Sequence, residues 1–328
     1  MTSRSLDIIA IGDAIVDVIA TCDNDFLQAH GLPKGSMQLL SPVEADRLYD
    51  QMGSARETSG GSAANTMAGV AAMGGRAGFI GQVANDQLGK IFSHDIRALG
   101  VDFETRPLDS ELPTGRCLIL VTPDAQRTMN TCPGASHQLA PDALDETRIA
   151  EASILYLEGY LFGPELPRRA MMRAVEIAHA AGNQVAFTVS DSVVLDGRRD
   201  GLNAMIQGGG IDLLFANEEE AMMLTRTADV DGAIAALRHK VPTLVITRGA
   251  GGALAVEQGA RTDVPAVQVQ KVIDTTGAGD LFAAGFLAAR AKGHGIDRQL
   301  LTGGIAAAEV IGHFGARPVA DLMELVKL

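Results

Sequence analysis

The sequence predicts an α/β fold in which a mainly parallel sheet carries helices on both faces. Short apolar runs of the length of buried strands recur at residues 6–11, 78–80, 154–157, 184–189, 213–216 and 244–247. Segments of helical period, rich in Ala and Met, lie at residues 64–73, 88–99, 168–181, 218–224, 233–239, 281–291 and 299–311. Alternation of this kind predicts a parallel sheet, whose ligands bind beyond the carboxyl ends of the strands.

A second, smaller sheet is predicted from strand-like segments that break this alternation. They lie at residues 15–22, 36–40, 114–121 and 127–131, and turn residues 122–126 separate the last two. Because the first of them follows the end of the first strand, we expect this sheet to cover the ligand-binding edge as a lid. We therefore expect residues 1–12, 41–113 and 132–328 to form the core and residues 13–40 and 114–131 the lid.

Composition excludes several classes of function. The 328 residues are 47% hydrophobic and 20% charged, with a net charge of −13 at pH 7. No nucleic-acid partner is expected, because phosphate backbones are bound by basic surfaces. The three cysteines, Cys22, Cys117 and Cys132, match neither a disulfide framework nor a zinc site. No signal-peptide pattern or long apolar run occurs, so we expect a cytoplasmic protein without a membrane partner.

The most informative motif is the run DTTGAGD at residues 274–280, which precedes an apolar helical segment. Small residues let a ligand approach the backbone, and the following helix directs unpaired N–H groups and its positive dipole end into the loop. These properties favour phosphate binding, with Asp280 placed to accept the proton of a substrate hydroxyl. Alone, the motif is equally consistent with a turn and a cap that start a helix.

Two further segments carry groups suited to a sugar. Gly60 and Gly61 allow a ligand to press against the backbone, and Asn65 offers both a donor and an acceptor. Asp13 and Asp17 follow the first predicted strand, and carboxylates accept hydrogen bonds from neighbouring hydroxyls. A simple helix entry and a turn are the structural alternatives for these segments.

Two segments that follow later strands are suited to a nucleotide. Asn217 and Glu220 are spaced to face one way at a helix start and to hold a hydrated Mg²⁺, although acidic residues there also stabilise the helix dipole. Residues 247–252, TRGAGG, resemble a second phosphate loop, in which Thr247 offers a hydroxyl and Arg248 a charge. No G-x-x-x-x-G-K-[ST] motif is present, and no G-x-G-x-x-G follows the first strand, which disfavours P-loop and dinucleotide-binding proteins.

The motifs occur in an order that resembles the ribokinase-like family, the PfkB carbohydrate kinases, over nearly the whole chain. Residues 127–131, 156–160 and 188–191 look most like the bacterial adenosine kinases of that family. The resemblance implies a three-layer α/β/α sandwich with a small β-sheet lid. It also implies ATP and Mg²⁺ as cofactors, and K⁺ activation as in many relatives.

The resemblance also implies roles for individual residues. Asp280 would be the catalytic base, and the amides of Gly277, Ala278 and Gly279 would form the anion hole. The other implied roles are sugar binding by Asp13, Asp17, Gly60, Gly61 and Asn65; ordering of Mg²⁺ by Asn217 and Glu220; ATP binding by Thr247, Gly249, Gly252 and Ser190; and a K⁺ site at Asp274 and Thr276. Many relatives have a more basic nucleotide side, whereas Arg248 is the obvious cation of the loop here, and we expect it to contact a phosphate of ATP.

The predicted reaction is transfer of the γ-phosphoryl group of MgATP to the 5′-hydroxyl of adenosine. A kinase of a free sugar such as ribose, fructose or a sugar acid is the enzymatic alternative, and a non-catalytic sugar or nucleoside sensor is the alternative of another class. A nucleobase needs an apolar or aromatic wall, for which the side chains near the lid are candidates: Phe26, Met37, Met129, Tyr160 and Phe162. Edge pairing of two lid sheets would give a homodimer.

Overall fold

The computed structural model of the chain describes residues 5–124, 126–195 and 197–328. Residues 1–4 of the predicted core and Ala125 of the predicted lid turn lie outside the described residues, as does Asp196. The strands of the described part are β1 Leu6–Ile11, β2 Ile15–Thr21, β3 Met37–Leu39, β4 Ala55–Gly60, β5 Ala77–Ile80, β6 Asp102–Phe103, β7 Gly115–Val121, β8 Arg127–Cys132, β9 Ala152–Glu158, β10 Gln184–Thr188, β11 Leu213–Asn217, β12 Thr243–Thr247, β13 Ala253–Glu257 and β14 Ala260–Val264.

Side-chain caps fix where several of the helices begin. Ser41 and Asn217 each form a capping box, and Asp86 accepts a hydrogen bond from the amide of Gly89. The helices of the described part are α1 Asn24–Ala29, α2 Pro42–Gln51, α3 Ser62–Ala72, α4 Gln87–Ala98, α5 Glu146–Glu151, α6 Glu165–Ala180, α7 Arg199–Gln207, α8 Glu218–Thr225, α9 Val230–Leu237, α10 Ala278–Ala291, α11 Ile296–Val310 and α12 Leu322–Val326.

Most strands of the described part form one large sheet, in the order β14-β13-β12-β11-β10-β9-β1-β5-β6. In this spatial order, each strand from β12 through β9 and β1 to β6 runs parallel to its neighbour in that series. This confirms the predicted α/β class with a mainly parallel sheet. The hairpin of β13 and β14 adds two antiparallel strands at one edge, which the sequence did not predict.

The two faces of the large sheet are covered by separate apolar cores. On β1, Ile8 and Ala10 pack into a core shared with α3, α10 and α11. Ile9 and Ile11 point the other way, into a core shared with α6, α7, α8 and α9. This alternation follows from the two-residue period of a strand, and it gives the three-layer sandwich that the resemblance implied.

The remaining strands form a small sheet in the order β3-β8-β7-β2-β4. Residues 12–14 connect β1 to β2, so the small sheet starts at the carboxyl end of a central strand of the large one. The small sheet differs from the predicted lid in containing β4, which lies within the range assigned to the core. The sequence of β4, ARETSG, has no apolar run because this strand lies at the edge of the sheet.

No helix in the described ranges combines the length and the apolar character that crossing a membrane requires.

Candidate active site

A cavity of about 510 Å³ lies between the carboxyl ends of the large sheet's strands and one face of the small sheet. Most of the predicted site residues line it: Asp13, Asp17, Gly61, Asn65, Ser190, Asn217, Glu220, Thr247, Thr276, Gly277, Ala278, Gly279 and Asp280. The others, Gly60, Arg248, Gly249, Gly252 and Asp274, are not part of its lining. The fold therefore brings together segments that are more than 200 residues apart in the sequence.

Asp280 lies in the first turn of α10, where two neutral donors from α3 hold its carboxylate. Ser62 Oγ donates to Oδ1 at 2.7 Å, and Asn65 Nδ2 donates to Oδ2 at 3.0 Å. Burial raises the pKa of Asp280, while these two hydrogen bonds and the charge of Arg317 oppose the shift. Its orientation in the cavity is thus set by α3.

The loop before α10 presents its backbone to the cavity. Gly277 has φ of 78°, and a Cβ at this position would lie 2.7 Å from the Cα of Ala316, so the turn requires glycine. The amide of Ala278 donates to the carbonyl of Thr275 at 3.2 Å. Gly279 lies in the first turn of α10, where N–H groups have no acceptor within the helix. Of the three predicted amides, that of Ala278 is therefore already paired with a carbonyl, and the anion-hole role of the loop stays a prediction.

Asp274 links this loop to the small sheet. Its Oδ1 accepts hydrogen bonds from the amide and the hydroxyl of Thr276 at 3.0 and 2.7 Å, and its Oδ2 accepts one from the Gly315 amide at 2.9 Å. Arg127, the first residue of β8, pairs with Oδ2 at 2.6 Å, and both side chains are nearly buried. A guanidinium group therefore already neutralises the carboxylate that the resemblance assigned to K⁺.

The two glycines before α3 are required by close approach. Gly61 has φ of 95°, and a Cβ there would collide with the carbonyl oxygen of Asp13. A Cβ on Gly60 would lie 2.5 Å from the carboxyl group of Asp17. Burial raises the pKa of Asp17 to about 6, against the opposing charge of Arg317. Glycine at these two positions therefore allows the start of α3 to lie close to both Asp13 and Asp17.

Glu158, which sequence reasoning assigned no role, connects the elements around Asp13. This fully buried side chain ends β9 and accepts hydrogen bonds from the amides of Asp13 at 2.7 Å and Ala63 at 2.6 Å. Burial and the charge of Asp13 raise its pKa well above the ordinary value. Asp13 in turn accepts a hydrogen bond from Ser136 Oγ at 2.7 Å. The sequence feature that could have indicated Glu158 is its position directly after the apolar run at residues 154–157.

Asn217 and Glu220 form the capping box that starts α8. The amide of Glu220 donates to Asn217 Oδ1 at 2.8 Å, and the amide of Asn217 donates to a Glu220 carboxylate oxygen at 2.9 Å. Burial raises the pKa of Glu220 to about 7. Both side chains line the cavity, so their oxygens suit Mg²⁺ held through water. Within the described residues, no three His, Cys, Asp or Glu side chains form a cluster that would hold a metal by themselves.

The glycines of residues 247–252 serve the turn between β12 and β13. Gly252 has φ of 86°, and a Cβ there would lie 2.6 Å from the carbonyl carbon of Pro265. Arg248 pairs with Asp263 of β14 at 3.1 Å and is directed to the hairpin. Thr247 is the residue of this loop that lines the cavity. The structure therefore places only the start of the predicted phosphate loop at the site.

An apolar wall from the small sheet closes the opposite side of the cavity. We define it by its lining residues: Ile15, Met37, Leu39, Cys117, Ile119 and Met129. Of the predicted wall residues, Met37, Met129 and Tyr160 line the cavity, whereas Phe26 and Phe162 pack into the apolar cores. Sequence reasoning missed the other wall residues because strands such as β7 are apolar on both faces: Leu118 packs into the core shared with α3, while Ile119 faces the cavity.

Ser190 lines the cavity just beyond the end of β10. It has φ of 75°, an unusual conformation for a residue with a side chain. Its Oγ accepts a hydrogen bond from the amide of Gly159 at 3.0 Å, and its carbonyl accepts one from the Tyr160 hydroxyl at 3.4 Å. These bonds hold the ends of β9 and β10 together, and the predicted contact with ATP stays a prediction.

Comparisons with known proteins agree with this geometry. The family model described as pfkB family carbohydrate kinase matches residues 6–322. The structure of an adenosine kinase from Sinorhizobium meliloti is similar, with a TM-score of 0.92 and 43% identity over 98% of this chain and 99% of that one. A probable sugar kinase protein from Rhizobium etli CFN 42 has a TM-score of 0.92 and 40% identity over 99% and 98% of the two chains. A fructokinase from Klebsiella pneumoniae is 30% identical over 81% of this chain and 87% of its own length. The chain, with its glycine loop and Asp280 at one cavity, therefore belongs to the pfkB family of carbohydrate kinases.

Proposed function

We propose that the protein transfers the γ-phosphoryl group of MgATP to the 5′-hydroxyl of adenosine. The observation that carries this proposal is the apolar wall, which shares one cavity with Asp280 and the glycine loop. A nucleobase can bury its faces against such a wall, whereas a free sugar gains little from it. The 43% identity to the adenosine kinase from Sinorhizobium meliloti supports the same acceptor.

In this reaction Asp280 accepts the proton of the 5′-hydroxyl as the hydroxyl oxygen bonds to phosphorus, and ADP leaves. Backbone amides of Gly277 and Gly279 stabilise the negative charge on the transferring group. Asp13, Asp17 and Asn65 hold the ribose hydroxyls. Mg²⁺, ordered by Asn217 and Glu220 through water, would neutralise phosphate charge when bound.

The role of the apolar wall in binding a nucleobase can be tested by comparing adenosine with ribose as the acceptor. We expect Met129→Ala to lower kcat/KM for adenosine by about tenfold, because burying such a side chain contributes about 1.5 kcal/mol or more, and to change kcat/KM for ribose little. Val121→Ala serves as the control, since Val121 lies on the same face of the small sheet outside the cavity. Equal losses for both acceptors in Met129→Ala would reject the wall as the nucleobase site.

A kinase of a free sugar is the second candidate. It is favoured by the relation to the fructokinase and by Asp13 and Asp17, which suit any neighbouring hydroxyls. Under this alternative, fructose or ribose is phosphorylated faster than adenosine at equal concentration.

K⁺ activation and dimerisation through the small sheet are further predictions. Faster turnover in KCl than in tetramethylammonium chloride of equal ionic strength would support the K⁺ site at Asp274 and Thr276, and equal turnover would reject it.

The edge strand β3, where Leu39 is 63% exposed, offers a pairing surface for a second copy. Light scattering would report the mass of a dimer or of a single chain.

A further inference from the structure

Arg317 binds both ends of the Ser59 to Ala64 turn, which joins the end of β4 to the first residues of α3. Its Nη2 donates to the carbonyl and the hydroxyl of Ser59 at 2.9 and 3.1 Å, and its Nη1 donates to the carbonyl of Ala64 at 3.1 Å. The Nε atom is buried and has no hydrogen-bond partner among the described residues. Burial lowers the pKa of Arg317 to about 10, which leaves it charged at neutral pH.

The turn that Arg317 holds carries the donors to the proposed base. Gly60 and Gly61 lie between Ser59 and Ala64, and Ser62 Oγ donates to Asp280 from inside the same segment. Asn65, the next residue along α3, donates to the other carboxylate oxygen of Asp280. A displacement of this turn would therefore displace the groups that orient Asp280.

The charge of Arg317 also acts on the site. Three carboxylates interact with it electrostatically, those of Asp17 on β2, Asp95 on α4 and Asp280 on α10. Among the described residues, Arg317 is the cation whose charge favours the ionised form of Asp280. The other titratable groups that interact with Asp280 oppose its ionisation when charged: Asp17, Glu158, Tyr156 and Tyr160.

We propose that Arg317 is a positioning residue for phosphoryl transfer, which orients Asp280 by holding the Ser59 to Ala64 turn and places a positive charge close to the site. This inference rests on the proposed role of Asp280 as the base. Arg317 does not line the cavity, so it acts through the turn and through its charge rather than by touching the substrates. A purely structural role would affect stability and leave the pH profile unchanged.

Two variants separate the charge from the hydrogen bonds. In Arg317→Gln we expect the acidic limb of kcat, measured at saturating acceptor and MgATP, to move to higher pH by about 1 pH unit, as loss of a nearby opposite charge does. In Arg317→Lys the charge remains, so the limb should stay at the wild-type position. Because lysine cannot make the same paired contacts, kcat should fall and the KM for the acceptor should rise, while the KM for ATP changes little.

Either variant can overturn the proposal. A folded Arg317→Gln enzyme with the wild-type acidic limb would do so, and if that variant does not fold, Arg317→Lys decides. A shifted limb in Arg317→Lys, or kcat and acceptor KM both equal to wild type, contradicts the inference. Asp280→Asn is assayed in parallel with whichever acceptor the wild type uses. If Asp280→Asn stays active, the proposed base is wrong; if it is inactive and the Arg317 variants contradict the expectation, only this inference fails.

Discussion

Replacing Asp280 by Asn tests the proposed base with a minimal change of shape. In the structure, Asp280 accepts one hydrogen bond from Ser62 and one from Asn65. An Asn side chain can accept from Asn65 through its oxygen and donate to the Ser62 hydroxyl through its nitrogen, so both contacts can be retained. Because burial of the charged carboxylate raises its pKa, removing the charge relieves a desolvation cost, and the folding stability should not fall below that of the wild type.

Catalysis should suffer far more than stability. A positioned general base contributes roughly 10²–10⁴-fold to a rate, so kcat should fall by about that factor while the KM for ATP stays near the wild-type value. Asp86→Asn provides a matched control, because Asp86 also accepts several hydrogen bonds, from Gly89 and Thr114, but lies outside the cavity. Coupled ADP release and thermal denaturation measure the two effects. An Asp280→Asn enzyme with kcat within a few-fold of wild type would refute the assignment.

Three further predictions follow from the site geometry. Gly60→Ala, which places a Cβ 2.5 Å from the carboxyl group of Asp17, should raise the KM for the acceptor and leave that for ATP unchanged. Gly53→Ala, where a Cβ meets nothing within 4 Å, is its control, and equal effects of both would contradict the reasoning. Because the pKa of Asp17 is raised to about 6, its carboxylate becomes protonated as the pH falls through 6. The kcat/KM for the acceptor should therefore fall over this pH range. Asp17→Asn should remove this part of the pH profile, and an unchanged profile would count against the role of Asp17. Glu220→Gln retains an acceptor for the Asn217 amide but loses the charge, so a Mg²⁺ titration should show a requirement raised by about tenfold; an unchanged requirement would exclude Glu220 from the Mg²⁺ site.

The parallel part of the fold could be predicted because each buried strand is a continuous apolar run. The run at residues 213–216, for example, is buried on both faces and lies next to β10 and β12. The edge strands were harder to predict, since exposure removes the apolar signal. β4 is mostly polar, and β14, ARTDV, has one side of its backbone free of the sheet.

The site could be predicted where backbone conformation demands glycine next to a polar side chain. Gly61 and Gly277 both have positive φ, and both lie at the cavity beside residues that the sequence singled out. Groups that act through long-range contacts left no local pattern. Arg127 meets Asp274 only because the small sheet folds over the large one, and Arg317 reaches Ser59 from near the other end of the described chain.

The loop at residues 247–252 shows that one sequence pattern can have two structural explanations. Its glycines predict phosphate binding, and they also allow the tight turn from β12 into the antiparallel strand β13. Arg248 is occupied by Asp263, a partner on a strand that the sequence did not predict. A plain turn needs fewer glycines, and the sequence did not predict the hairpin that uses them; the ATP-binding roles of Arg248, Gly249 and Gly252 stay predictions.

The most direct test of the account is ADP release by the purified protein with MgATP and adenosine, inosine, ribose or fructose, each offered alone. Mass analysis of the product should accompany each assay. We expect adenosine to be converted to AMP with one ADP released per AMP and the free sugars to react far more slowly. Phosphorylation of ribose or fructose with none of adenosine would contradict the nucleoside assignment, and no phosphorylation of any acceptor would contradict the proposed reaction.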